Sequence, residues 1–228
     1  MAFPLGPDTV AHLADSYPHN HDYRITSGKL KPSWQLWRRA RRIRKHYAPG
    51  GKSLLDLSSC KGYFTLDAIL ARGMQRARGI DVHEPDIVAS RAAARHLELH
   101  EQVKLDRMHL HEVAAEIEAG TETAFDTTLL INTYPYLFFG SLREEHNYPD
   151  HAQLFQHLAK VTAPGGRLVF SNRLEVALCP GHIQARAKDL ELDHLYDETQ
   201  IRAAIDPHFE IETRGKLGKI PLWILHTK

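Results

Sequence analysis

Five residues have the types and spacing to do chemistry together: Asp56, Ser58, Cys60, Gly62 and Asp81. Four of them occupy every second position of Asp56-Leu57-Ser58-Ser59-Cys60-Lys61-Gly62, just after the apolar pair Leu54 and Leu55. Asp81 follows Gly62 by about twenty residues, the interval at which a nucleotide-binding β-α-β unit sets a carboxylate against ribose hydroxyls. In such a unit the turn and the start of its helix approach a ligand closely. The acid at the next strand end accepts hydrogen bonds from two hydroxyls. Asp81 could instead cap the following helix, which Pro85 and Asp86 help to start, but its distance from Gly62 favours the diol.

The elements that must position these residues read directly from the pattern. Ser53 begins a buried strand, Gly62 sits in a tight turn, a helix runs over about 63–71, and a second strand over 77–82 ends on the acid. Before them, a helix over 32–47 starts at Pro32 or Ser33 and turns Leu36, Ala40, Ile43 and Tyr47 inward. Its other face gathers Trp34, Arg38, Arg41, Arg42 and Lys45. Residues 1–31 show little periodicity and read as an irregular arm with one short helix near Thr9 to Ala14. Downstream, strands are expected over 103–108 and 125–131, and a helix capped by Asp150 carries Leu154, Phe155, Leu158 and Val161 inward. Two last strands, 209–213 and 220–225, form a hairpin.

Asp56 to Gly62 resembles motif I of class I S-adenosylmethionine-dependent methyltransferases, an acid followed by glycines at alternate positions. Ser58 and Cys60 stand where the first two glycines usually stand. Ala163-Pro164-Gly165-Gly166-Arg167-Leu168-Val169-Phe170 is similar to the turn and fifth strand of the same family, and the resemblance covers roughly residues 50–228. It implies a Rossmann-like, doubly wound α/β fold: a mostly parallel seven-stranded sheet, helices on both faces, and a C-terminal antiparallel hairpin. The domain would span 48–228, with 1–47 as an arm and a basic, aromatic helix packed on it.

The resemblance also implies S-adenosyl-L-methionine as cofactor. Asp56, Ser58, Cys60 and Gly62 would surround its amino-acid part, Asp81 would hold the ribose, and His109 with Leu110 would meet the adenine. The family's adenine-binding position is an acid, and a neutral histidine accepts through one ring nitrogen; Asp106 or a backbone carbonyl is the alternative. The fourth strand's end faces the transferred methyl in this family, which makes Asn132 and Tyr134 the catalytic candidates. Asn132 would orient a substrate amine and Tyr134 would donate to or stack on substrate, while packing is favoured for Tyr136, Phe138 and Phe139. Arg143, His146 and Tyr148 lie in a loop expected over the mouth of the crevice.

Composition sets the outer bounds. The 228 residues carry a net charge of +1, 43% hydrophobic and 25% charged residues, as expected of an ordinary globular protein rather than a uniformly basic nucleic-acid binder. Cys60 and Cys179 have no metal-ligand spacing, no metal is expected, and neither an apolar leader nor a long apolar run is present, so the reducing cytoplasm is the default and no membrane is expected. Three readings remain open: a methyltransferase acting on a small molecule; one acting on RNA through Trp34, Arg38, Arg41, Arg42 and Lys45; and a non-catalytic module that has lost its cofactor, for which Ser58 and Cys60 speak. A dinucleotide oxidoreductase is disfavoured, because Gly-x-Gly-x-x-Gly is absent.

Overall fold

The computed structural model describes residues 3–140, 147–148 and 150–228. Its main sheet has seven strands, mostly parallel, with a C-terminal antiparallel hairpin, the Rossmann-like class expected. The chain groups into two compact units, Met1–His109 and Leu110–Lys228. Arg143 and His146 lie outside the described residues.

The first unit holds α1 (Pro7–Asp15), β1 (Tyr23–Thr26), β2 (Lys29–Pro32), α2 (Trp34–Ile43), β3 (Ser53–Leu57), α3 (Tyr63–Leu70), β4 (Arg76–Asp81), α4 (Glu84–His96) and β5 (Val103–Arg107). Strands β5, β4 and β3 lie side by side in parallel. Every residue of β3 is buried, and a strand covered on both faces favours the continuous apolar run read from the sequence. Ser33 caps α2, its hydroxyl accepting from the Leu36 amide at 3.3 Å, and Leu36, Ala40 and Ile43 are fully buried. Residues 23–32 differ from the expected irregular arm: they form an antiparallel hairpin of their own, turned by Ser27 and Gly28, both at positive φ.

Gly79 in β4 is fixed by packing. A Cβ there would lie 2.6 Å from Thr65 Oγ1, 2.8 Å from Ser59 Cβ and 2.9 Å from Leu105 Cδ2. Gly79→Ala is therefore expected to destabilise the protein by about 1–3 kcal/mol in urea denaturation, the usual cost of overpacking.

The second unit holds α5 (Leu110–Glu118), β6 (Phe125–Ile131), α6 (Tyr134–Phe139), α7 (His151–Val161), β7 (Thr162–Ser171), α8 (Gly181–Asp189), α9 (Glu198–Ile205), β8 (Phe209–Leu217) and β9 (Ile220–Thr227). Its strands run in the order β6, β7, β9, β8, with β6 and β7 parallel and β9 antiparallel to both neighbours. Asp150 caps α7 by accepting from the Ala152 amide at 2.8 Å, and Leu154, Phe155, Leu158 and Val161 are buried as expected. Tyr148 is buried rather than set over a crevice mouth, edge-on to His111 and His157.

Candidate functional site

The turn between β3 and α3 keeps a glycine backbone without most of its glycines. Ser58, Cys60 and Gly62 have φ of +66°, +49° and +74°, the left-handed region that costs an L residue about 1–2 kcal/mol. Only Gly62 has no room for a side chain: a Cβ there would lie 2.7 Å from Ser90 Cβ on α4. Ser58 and Cys60 are half-buried, so their side chains find space and the strain is confined to the backbone. Ser58→Gly and Cys60→Gly are each expected to stabilise the fold by about 0.5–1 kcal/mol, the relieved strain less the added unfolded-state entropy, measured by thermal melting.

Asp81 binds this turn to the end of β4. Its Oδ2 accepts from the Cys60 amide at 2.9 Å and the Ser58 hydroxyl at 3.4 Å, and its Oδ1 from the His83 amide at 2.9 Å. The turn amide of Ser59 donates to the Ile80 carbonyl at 2.9 Å. The pair separated by some twenty residues in sequence is thus one hydrogen-bonded assembly.

Asp56 is buried, and its Oδ2 has no hydrogen-bond partner among the described residues. Burial pushes its pKa up to about 7; the Arg39 cation pulls the other way and the Asp81 carboxylate adds to the rise. An orphaned, reluctant carboxylate is a place prepared for a donor or a cation. Cys60 has its thiol pushed up chiefly by burial, then by Asp81, so it stands as a neutral thiol and not as a nucleophile.

Arg39 is the residue that sequence reasoning missed. It leaves the basic face of α2, contacts His21 Nε2 at 2.7 Å, and lies near enough to Asp56 and Cys60 to act on both. Burial, aided by Arg39 and Lys61, holds the His21 imidazole well below its ordinary pKa, so a neutral ring accepts from the guanidinium. The signal was available: position 39 follows Leu36 by one helical turn and precedes Ile43 by another.

The arm grips the turn from Lys61. Its ammonium is fully buried, ion-paired with Asp22 and donating to the Ser16 carbonyl at 2.7 Å, while the Tyr23 hydroxyl donates to the Lys61 carbonyl at 2.8 Å. Asp86, fully buried at the start of α4, contacts His12 of α1 at 2.7 Å and His83 at 2.9 Å. Residues 12–23 are therefore bound to the turn and to the start of α4 by specific polar contacts.

Of the adenine candidates, His109 is half-buried just after β5, and Leu110 is buried as the first residue of α5. Asp106, the alternative to His109, is held by Arg78 at 3.0 Å and Arg91 at 3.4 Å.

In the second unit the end of β6 is built around Asn132, at φ +63°. Its amide donates to the Ser171 carbonyl at 2.8 Å, and its side-chain oxygen accepts from Arg173. Asn172, fully buried and unforeseen, accepts from the Thr133 and Tyr134 amides at 2.7 and 2.8 Å and donates to the Leu130 carbonyl at 2.7 Å. It satisfies the open amides at the start of α6. Tyr134 is fully buried among Phe155, Phe170 and Tyr196, with its hydroxyl 2.6 Å from His151 Nδ1. His151 is held in turn by the Leu195 carbonyl at 2.8 Å, and burial lowers its pKa.

Comparison with solved structures bears on the fold. A protein from Pyrococcus horikoshii aligns over 95% of this chain and 95% of its own, with a TM-score of 0.61 at 15% identity. An O-methyltransferase from Bacillus cereus, solved in complex with S-adenosylhomocysteine, aligns over 90% of this chain and 84% of its own, with a TM-score of 0.53 at 15% identity. An O-methyltransferase family protein from Burkholderia thailandensis gives 0.54 at 17% identity over 78% of this chain.

The chain has the class I methyltransferase fold.

It spans about half the length, 51%, of the Burkholderia protein it matches. No family model and no curated protein matches the sequence. The likeness of this methyltransferase fold to the solved structures therefore lies in the backbone, consistent with a turn in which Ser58 and Cys60 take positive φ. Among the described residues no helix is long and apolar enough to cross a membrane.

Proposed function

We propose that the protein is an S-adenosylmethionine-dependent methyltransferase. The observation that carries this reading is the turn: Ser58 and Cys60 hold the strained backbone of motif I, with Asp81 bonded across it and Asp56, whose buried Oδ2 lacks a partner among the described residues, at its start. The residues fit the cofactor. Asp56 would receive the ammonium of its amino-acid part, Arg39 would face its carboxylate, Asp81 would accept from the ribose hydroxyls, and His109 with Leu110 would border the adenine. S-adenosylhomocysteine bound in the Bacillus enzyme, and in the N-methyltransferase NodS of Bradyrhizobium japonicum at 15% identity, supports the choice of cofactor.

When bound, S-adenosylmethionine supplies an electrophilic methyl on a sulfonium, which leaves the protein to align and to exclude water. Asp56, ionised by an incoming ammonium, would fix the amino-acid end. Asn132 would orient the nucleophile through its side-chain amide, and Tyr134 would hold the start of α6 through His151. An amine substrate needs only its lone pair, whereas a hydroxyl needs a base. The substrate we propose is a small molecule, and the cytoplasm its place.

Lys61 bears on the non-catalytic reading. Its ammonium is engaged by Asp22 and Ser16 of the arm, which accounts for its burial without a retired site. Calorimetric titration with S-adenosylhomocysteine, with NAD as control, tests the proposal. Micromolar binding of the first alone is the expected result, and no binding would overturn it.

A further inference from the structure

Between Tyr23 and Leu55 the chain has ten lysines and arginines and no aspartate or glutamate, although the whole sequence is nearly neutral at +1. Two of the ten turn inward: Arg39 to His21, and Arg44 to Asp67 and Tyr63. Arg24, Lys29 and Lys31 are exposed on the hairpin of β1 and β2; Arg38, Arg41, Arg42 and Lys45 are exposed along α2 and the turn after it. Arg24 stands directly across from Lys31 in the strand register, and like charges so placed repel. An anion lying along the hairpin would offset that repulsion.

Two tryptophans stand among these cations. Trp34 is 66% exposed and Trp37 37%. Their rings are stacked, 4.9 Å between centroids and 17° from parallel, with the Arg38 guanidinium 6.0 Å from Trp34 and that of Arg41 5.6 Å from Trp37. An exposed ring pair flanked by guanidinium groups matches the alternation of base and phosphate in a single strand.

We propose that the β1–β2 hairpin and the outer face of α2 bind single-stranded nucleic acid, a base continuing the Trp34–Trp37 stack and phosphates meeting Arg24, Lys31, Arg41 and Arg42. A lipid surface fits less well. The apolar residues of α2, Leu36, Ala40 and Ile43, are all buried in the protein, which leaves the two ring systems as the only large apolar groups it exposes. The inner face of this helix carries Arg39 beside Asp56 and Cys60, so a strand held outside would be tethered to the unit that carries the cofactor turn. The inference stands apart from the methyl-transfer reading, since it needs no cofactor.

The test is fluorescence anisotropy of labelled oligouridylate and oligothymidylate, about twelve nucleotides long, on the full chain without cofactor. Micromolar binding is expected at about 50 mM salt, weakening about fiftyfold by about 200 mM if four phosphates are neutralised. Trp34→Ala should weaken binding about tenfold and Trp34→Phe much less. The pair Arg41→Ala and Arg42→Ala should lower the salt slope by about 1.4. All three positions are exposed, and far-ultraviolet circular dichroism will verify folding. Absence of binding by the folded protein at about 50 mM salt, no effect of these substitutions, or tighter binding to phosphatidylserine vesicles than to either oligonucleotide would overturn the inference. The S-adenosylhomocysteine titration is unaffected by any of these outcomes, so the two proposals fail separately.

Discussion

Asp81→Ala is expected to weaken S-adenosylhomocysteine binding by a factor of several hundred, about 3–4 kcal/mol, in calorimetric titration. A carboxylate accepting from two ribose hydroxyls makes two charge-assisted hydrogen bonds, each about 1.5–3 kcal/mol. The same side chain also receives the Cys60 and His83 amides, so the variant should lose some stability as well. Asp81→Asn separates the two effects. Its amide keeps an oxygen for a turn amide but removes the charge, so the melting temperature should recover more than the affinity. Undiminished binding by Asp81→Ala would show that the acid only braces the turn.

Asp56→Asn is expected to stabilise the ligand-free protein at pH 8 by up to about 4 kcal/mol while changing little near pH 4. The Asp56 carboxyl stands at about 7 in the fold against an ordinary 3.8, raised first by burial. The folded chain thus keeps a proton that the unfolded chain has released. The stability that this proton contributes is complete below about pH 4 and is lost as pH rises through about 7. Buried His21 works with the opposite sign, since its lowered pKa means stability lost as pH falls below the ordinary imidazole value. Urea melts of wild type and variant across this range isolate Asp56 in their difference. A difference that does not grow with pH would mean that Asp56 ionises as an ordinary carboxyl. Ligand reverses the sign: a bound ammonium would draw the proton off, and Asp56→Asn should then bind S-adenosylhomocysteine more weakly.

The class of sheet was implied by the resemblance of two motifs, while the sequence by itself determined the β-α-β unit and its turn. Those features depend on local periodicity and on short chain distances: the apolar run of β3, the inward stripes of α2 and α7, the spacing from Gly62 to Asp81. Each is written within a few tens of residues, and backbone hydrogen bonding follows from it.

Tertiary structure decided what those residues touch. Nothing in the alternation of residues 23–32 announces a strand pair, because these short strands are half exposed and carry mixed polar side chains; the Ser27-Gly28 turn was their one local mark. Lys61 stands in the turn with no role written in its neighbours, and only the fold shows Asp22 and Ser16 engaging it across some forty positions of chain. Tyr134 follows a polar strand end and reads as a residue that would meet substrate; the packing of His151 and Tyr196 around it is seen only in the fold. Asn172 has no motif, because its partners are backbone amides whose positions exist only once β6 and β7 pair. A side chain's type is fixed in the sequence, but its partners are chosen by desolvation, which only the folded packing sets.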